Sequence, residues 1–219
     1  AQEELIAALA RLGKPLVTVV IAGRAYCIEK IENASDAVLY AFYPGPMGGR
    51  AVAELLYGSS NPSGRLPVSM PRHVGQIPVC YNYRTSPAHC DMTSQPLHTF
   101  GEGRSYTTFT GSDVSVTKEE NGISVSFTVE NTGNMAGTSV PCLYVRKRSG
   151  GVVARIKELK AFTRIALAPG EKKEAVFHLT KEELNFVQIP GKPEVICHEY
   201  ELMLEDGAEK WWTGNVTEM

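Results

Sequence analysis

The sequence predicts part of an α/β layer followed by an antiparallel β-sandwich, two folds of different class within 219 residues. In the first third, apolar residues at helical spacing alternate with mainly apolar runs that lack polar alternation, the pattern of βα units. In the second half the hydrophobic period changes to two, and turn residues separate short runs. The length also favours two domains, because one domain typically takes about 100–150 residues.

Residues 1–78 are predicted to form the C-terminal portion of the α/β layer. Ala1–Leu12 has its leucines at helical spacing, and Gly13 is placed to end that helix. Leu16–Ile21 and Asp36–Phe42 lack polar alternation, which indicates parallel strands buried on both faces. Gly49–Tyr57 carries a second helical pattern. Two strands and two helices cannot cover both faces of a sheet, so this part is not expected to be stable alone.

Periodicity is lost between Asn61 and Phe109, and residues 79–109 are interpreted as an irregular connecting segment. Residues 110–219 are predicted to form the β-sandwich, because short alternating runs recur there between turn signals. The predicted strands are Ser112–Val116, Ile123–Val129, Ser139–Arg146, Ile165–Leu167, Lys173–Leu179 and Tyr200–Leu204.

Charge and hydropathy exclude several classes of function. A net charge of −2 and a pI near 6.3 give no field that would gather nucleic acid or an anionic membrane. No run approaches the roughly 18 apolar residues that a membrane-spanning helix needs. The five cysteines are scattered without C-x-x-C spacing, which favours reduced thiols and a cytoplasmic over a secreted location. One disulfide with spare thiols stays open as an alternative.

The beginning of the chain suggests a longer parent protein. Ala1 opens directly into a helical pattern, with no signal peptide and no residue before it that could cap the helix. A chain that starts inside a helix is expected to have been trimmed from something longer.

Five segments, in the same order, resemble signatures of the family 3 glycoside hydrolases. In that family an aromatic-Pro-Gly turn enters a helix through two glycines, and the block after it is the most specific match in this chain. The matching segments are Tyr43–Gly58, Asn61–Pro71, Phe100–Phe109, Asn131–Gly133, and Lys157–Phe162 with Leu167–Glu171 after it. The chain therefore resembles the end of the family's α/β sandwich domain followed by its fibronectin type III-like domain.

The resemblance implies a retaining exo-glycosidase that acts on β-linked glucosides, xylosides and related sugars. Such chemistry needs two carboxyl groups about 5–5.5 Å apart, on either side of the scissile bond. In the family, the nucleophilic Asp lies on an N-terminal barrel, and the acid/base Glu usually lies on a loop before the helix with which this chain opens. Neither segment is present, so no residue is predicted to be catalytic, no cofactor is implied, and the chain alone is predicted to be inactive. The barrel would come from the same parent chain or be supplied in trans.

Tyr81, Tyr83 and Arg84 are the candidate substrate-binding residues, because they lie in the irregular segment and could line an outer sugar subsite. Trp211 and Trp212 could also stack on a sugar, although packing is the favoured interpretation. Glu3–Glu4, Glu119–Glu120 and Glu182–Glu183 are predicted to be solvated.

The remaining reactive side chains match no catalytic or metal motif. Ser69 and His73 lie close in sequence, but no G-x-S-x-G element surrounds the serine. No metal site is predicted either. The spacing of the histidines and cysteines in this region suits no zinc ligand set; these residues are His73, Cys80, His89, Cys90 and His98.

The main alternative is a non-catalytic module that binds carbohydrate or serves a structural or adhesive role through the β-sandwich. Under that hypothesis, residues Ala1–Met70 should be dispensable, yet they carry the most specific family segments. A β-glycosidase that acts on terminal β-linked sugars, with β-glucosides favoured, is therefore the first hypothesis.

Overall fold

The computed structural model describes residues 1–84, 93–150, 153–186, 190 and 196–217. The chain divides into two compact units that interleave along the sequence. The first comprises Ala1–Ser60, Val68–Cys80 and Ala88–Phe100, and the second comprises Asn61–Pro67, Tyr81–Pro87 and Gly101–Met219. None of the helices in the described part of the chain has the length and apolar character that crossing a bilayer requires.

The first unit contains helices and a pair of parallel strands, as the sequence predicts. Its elements are α1 (Gln2–Ala10), β1 (Val17–Val20), α2 (Glu29–Ala34), β2 (Ala37–Tyr40), α3 (Gly48–Leu56) and a 3₁₀ turn at Val74–Gln76. β1 and β2 pair in parallel, with Val17 opposite Ala37 and Val20 opposite Tyr40. Gly13 has φ +63°, a conformation that stops a helix and that glycine adopts without strain.

The prediction that both strands are buried on two faces is wrong. Every residue of β1 and β2 is half-buried or exposed, Val17 is 50% exposed, and α1 has no buried residue. The reason is the number of elements, because two strands with three short helices do not enclose a sheet. α2 was not predicted, since its six residues contain only Ile31 as a large apolar side chain.

The second unit is an antiparallel β-sandwich, which confirms the predicted fold class. One sheet has the order β11-β10-β6-β7, the other has the order β3-β4-β9, and β5 pairs with β8. The strands are β3 (Phe109–Glu119), β4 (Gly122–Asn131), β5 (Gly137–Ser139), β6 (Pro141–Lys147), β7 (Glu158–Phe162), β8 (Ile165–Leu167), β9 (Lys172–Thr180), β10 (Glu199–Asp206) and β11 (Glu209–Thr217), with helix α4 at Lys181–Leu184.

The core of this unit lies between the two main sheets. β4 shows the predicted alternation, with its apolar side chains from Ile123 to Val129 buried and the residues between them half-buried. These side chains pack with buried leucines and valines of β6 and β10, among them Leu143 and Leu202 at 0% exposure.

Two predicted strands need correction, and two further strands were missed. β3 is 11 residues long and not confined to Ser112–Val116, because a bulge between Ser112 and Ser115 interrupts its alternation. The predicted strand Ser139–Arg146 is divided into β5 and β6, which belong to different sheets. β7 and β11 were not predicted as strands.

Candidate functional site

Asn61 fixes the segment Asn61–Pro67 onto the sandwich through both ends of its side-chain amide. Its Oδ1 accepts hydrogen bonds from Ser105 Oγ and from the backbone N–H of Tyr106, each at 2.9 Å. Its Nδ2 donates to the carbonyl of Ala136 at 3.1 Å. Asn61 therefore joins two of the sequence segments that resemble the glycosidase family.

Arg65 forms a buried ion pair with Asp206 at the end of β10. Arg65 Nε and Nη2 donate to Asp206 Oδ1 at 2.9 and 2.5 Å, and the two side chains are 10% and 4% exposed. The other oxygen, Oδ2, accepts from Ser139 Oγ at 2.6 Å and from the backbone N–H of Val140 at 3.1 Å. With both of its oxygens engaged, the carboxylate of Asp206 is suited to hold structure together and not to transfer protons.

A cleft of about 360 Å³ lies beside this ion pair. Its walls include charged side chains of both signs, Glu102, Arg104 and Glu209, together with Trp211. The indole N–H of Trp211 is buried and has no hydrogen-bond partner among the described residues. Trp211 and Trp212 lie within β11 and pack against the core, which agrees with the packing interpretation of these two residues.

The segment Tyr81–Arg84 is attached to the chain between Val153 and Leu159. The hydroxyl of Tyr81 accepts from the backbone N–H of Leu159 at 3.2 Å, and the ring meets that of Tyr144 edge-on. The carbonyl of Tyr83 accepts from the N–H of Ile156 at 3.0 Å, and Arg84 Nη1 donates to the carbonyl of Val153 at 3.1 Å.

The three predicted substrate-binding residues are neighbours in sequence, and the structure attaches all three to the same part of the chain. Tyr81 and Tyr83 are half-buried and Arg84 is exposed. The hydroxyl of Tyr81 is engaged by backbone, so any contact with a ligand would fall mainly to Tyr83 and Arg84. Beside the segment, burial strongly raises the pKa of the Tyr144 hydroxyl, which remains protonated at neutral pH.

The acidic pairs lie at the surface, as predicted. Glu3 pairs with Lys30 at 3.1 Å, and Glu119 pairs with His178 at 3.4 Å. Glu183 caps α4, where its carboxylate accepts from the backbone N–H and the hydroxyl of Thr180. These bonds lower the pKa of Glu183, the opposite of what a general acid at neutral pH requires.

Ser69 and His73 serve local structure. Ser69 Oγ accepts from the backbone N–H of Phe100 at 3.1 Å, and His73 Nδ1 accepts from the N–H of Gly75 at 3.1 Å. His98 Nε2 lies 3.0 Å from Glu32 Oε2. In the part of the chain that the structure describes, no three His, Cys, Asp or Glu side chains converge as a metal ion would need.

Four of the five cysteines lie in described regions, and all four are free thiols. Cys142 and Cys197 are buried, and burial raises the pKa of Cys142 to about 11. The remaining cysteine, Cys90, lies outside the described residues, as does His89.

Sequence reasoning missed the Arg65–Asp206 pair and the hydrogen bonds of Asn61. Arg65 and Asp206 are separated by 141 positions, and no local pattern marks them as partners. The sequence feature that pointed to the pair was Arg65 itself, a charged residue in the segment Asn61–Pro71, which is otherwise notable for its glycine, prolines and turn residues.

Family models match both halves of the chain. The model described as the glycosyl hydrolase family 3 C-terminal domain matches residues 1–106, and that of the fibronectin type III-like domain matches residues 139–208. The curated relatives include a periplasmic beta-glucosidase of Salmonella typhimurium, 39% identical over 202 residues, which are 84% of this chain and 26% of the relative. A putative beta-xylosidase of Formosa agariphila is 36% identical over 213 residues, 93% of this chain and 28% of the relative.

Solved structures give the same relationship. The beta-glucosidase from Listeria innocua in complex with isofagomine matches with a TM-score of 0.92 and 33% identity, over 99% of this chain and 33% of that one. Beta-glucosidase 3B from Thermotoga neapolitana in complex with α-D-glucose matches with a TM-score of 0.85 and 27% identity, over 99% and 33%. The chain therefore spans between a quarter and a third of the length of these proteins.

Proposed function

Because the chain belongs to glycoside hydrolase family 3 and matches the C-terminal domains of its members, we propose that it is the C-terminal part of a retaining, exo-acting β-glycosidase. The substrates proposed are terminal β-linked sugars, with β-glucosides first. The observation that carries the proposal is the 39% identity to a periplasmic beta-glucosidase over 84% of this chain. An alignment over 84% of the chain includes residues of both units and is not confined to the β-sandwich.

The catalytic carboxylates are proposed to lie outside these 219 residues, on a barrel and on a loop of the α/β domain. Retaining hydrolysis needs one carboxyl group that stays protonated as acid and one ionised nucleophile. The carboxylates of Asp206 and Glu183 suit neither role, because the hydrogen bonds described above commit both to local structure. The chain's own contribution is a scaffold, with the barrel on the same polypeptide or on a separate one.

The substrate-binding role of Tyr81, Tyr83 and Arg84 remains a proposal for an outer sugar subsite. Its support is the attachment of this segment to the chain between Val153 and Leu159, together with the exposure of Arg84. In the complete enzyme, Arg84→Ala should raise KM for oligosaccharides and leave kcat nearly unchanged. An unchanged KM for every oligosaccharide tested would remove the role.

Hydrolysis of an aryl β-glucoside tests the proposed function. The 219-residue chain alone should give no turnover, while the polypeptide that also carries the upstream coding region should hydrolyse the substrate with retention of configuration. Intact mass measurement of each sample controls for a second polypeptide. Turnover by the chain alone would contradict the proposal, and binding without hydrolysis by the longer polypeptide would favour a non-catalytic carbohydrate-binding module.

A further inference from the structure

The carboxyl-terminal edge of the β1–β2 pair carries a group of aromatic side chains. Because the strands are parallel, the segments that leave both of them start at the same edge. Backbone hydrogen bonds extend the pairing beyond the strands, from Ala41 N–H to the carbonyl of Val20 at 2.9 Å and from Ala22 N–H to the carbonyl of Phe42 at 3.2 Å. In open α/β sheets, ligands bind outside this edge.

Tyr43 lies at this edge, largely exposed, with its ring close to the backbone of Gly23. The ring is 78% exposed, yet a Cβ atom added at Gly23 would lie only 2.5 Å from its Cε2 and 2.7 Å from its Cζ. Phe42, just before it, has φ +51°, a value uncommon for a bulky residue and often retained at ligand sites. The backbone at Gly23 therefore supports the Tyr43 ring, most of whose surface faces solvent.

Arg24 follows Gly23, the residue that the Tyr43 ring contacts, and carries an exposed charged group in the same loop. Its guanidinium carbon lies 4.8 Å from the centre of the Tyr26 ring, a cation–π contact that limits the freedom of the side chain. The hydroxyl of Tyr40 donates to the carbonyl of Arg24, which ties the loop to β2. Arg24 is itself exposed, so its N–H groups are available for hydrogen bonds with a ligand.

We propose that Tyr43 and Arg24 form a sugar-binding subsite, in which a pyranose ring of a β-linked oligosaccharide stacks on Tyr43 and Arg24 donates to its hydroxyls. The inference rests on the proposed function, which supplies the class of ligand. An exposed aromatic ring and an exposed hydrogen-bond donor in the loop that contacts the ring match a sugar, which has an apolar face and a polar rim. The exposed aliphatic side chains that would suit protein packing are other residues, Val17 at the start of β1 and Ile21 just after its end.

Kinetics of the complete enzyme test the subsite with matched tyrosine variants. Tyr43→Ala should raise KM for a β-linked trisaccharide about 3- to 10-fold, with kcat and the KM for a small aryl glycoside nearly unchanged. Tyr43→Phe keeps the ring and should restore the parent KM. Tyr57→Ala is the control, because Tyr57 is 89% exposed but caps the end of α3, away from the loops after β1 and β2. Arg24→Ala should raise KM in the same way as Tyr43→Ala.

Three other outcomes of these kinetic measurements are possible, and two of them overturn the subsite. An active enzyme whose Tyr43→Ala variant retains the parent KM overturns the subsite and leaves the proposed function intact. A loss of thermal stability with equal effects on all substrates assigns Tyr43 to packing against polypeptide and also overturns it. If the complete protein hydrolyses no β-glycoside, the proposed function fails, and NMR titration of the 219-residue chain with cellotriose decides. Shifts of the Tyr43 ring support a sugar site, and unchanged spectra overturn it.

Discussion

Arg65 shows how one side chain can attach an irregular segment to a sandwich. The segment Asn61–Pro67 has no strand or helix of its own, so its position depends on a few polar contacts. A guanidinium and a carboxylate removed from water need every available hydrogen bond to offset the loss of hydration. Asp206 receives such bonds from Arg65, Ser139 and Val140. The pair therefore specifies a position in the fold more than it adds net stability.

Replacing Arg65 by alanine should destabilise the sandwich by about 3 kcal/mol, because the carboxylate of Asp206 would lose its countercharge while remaining buried. Urea unfolding followed by tryptophan fluorescence measures this directly, since both tryptophans of the chain lie in β11. The matched control is Arg164→Ala, which removes an exposed arginine that donates to Ser63 on the same segment and should cost less than about 1 kcal/mol. Equal losses for the two variants would contradict a special role for the buried pair.

At the scale of elements, the sequence predicted the strands that alternate and missed those that do not. β4 was found because every second residue from Ile123 to Val129 is apolar and buried. β11 was missed, since Trp211 and Trp212 are adjacent and both half-buried, which breaks the period of two. The bulge in β3 concealed its length in the same way. Such irregularities are fixed by packing between distant strands, and a local sequence pattern therefore cannot predict them.

The contact of β3 with β11 depends on a residue without a side chain. A Cβ atom at Gly111 would overlap the indole of Trp211, so Gly111→Ala should displace the ring and destabilise the sandwich by about 1–3 kcal/mol. Urea unfolding and the tryptophan emission maximum report the two effects together. Gly64→Ala is the control, because an added Cβ there meets nothing within 4 Å and its stability should change by less than about 1 kcal/mol. A fully stable Gly111→Ala variant with unchanged emission would show that the ring does not need this close approach.

Across the whole chain, buried apolar side chains are distributed very unequally. Val125, Leu143 and Leu202 of the sandwich are completely buried, whereas α1, β1 and β2 contain no buried residue. The apolar runs predicted burial of both strands, and only the number of elements argued against it, because two strands cannot be covered on both faces. The sequence could not predict the surface that this leaves, which includes Val17 at 50% and Ile21 at 63% exposure. Those values follow from the packing of particular side chains and not from their hydrophobicity.

Amide hydrogen exchange should reveal this inequality as a difference in local stability. Backbone amides of β4 and β6, each the inner strand of a sheet, should exchange at least about 100-fold more slowly than those of β1 and β2. The reason is that opening the inner strands exposes the sandwich core, whereas opening β1 from β2 exposes side chains already in contact with water. If the proposed upstream strands complete the α/β layer, the longer polypeptide should slow exchange in β1 and β2 and leave β4 unchanged. Equal protection of β1 and β4 in the 219-residue chain would mean that β1 and β2 are stable without buried side chains of their own, against the reasoning from burial.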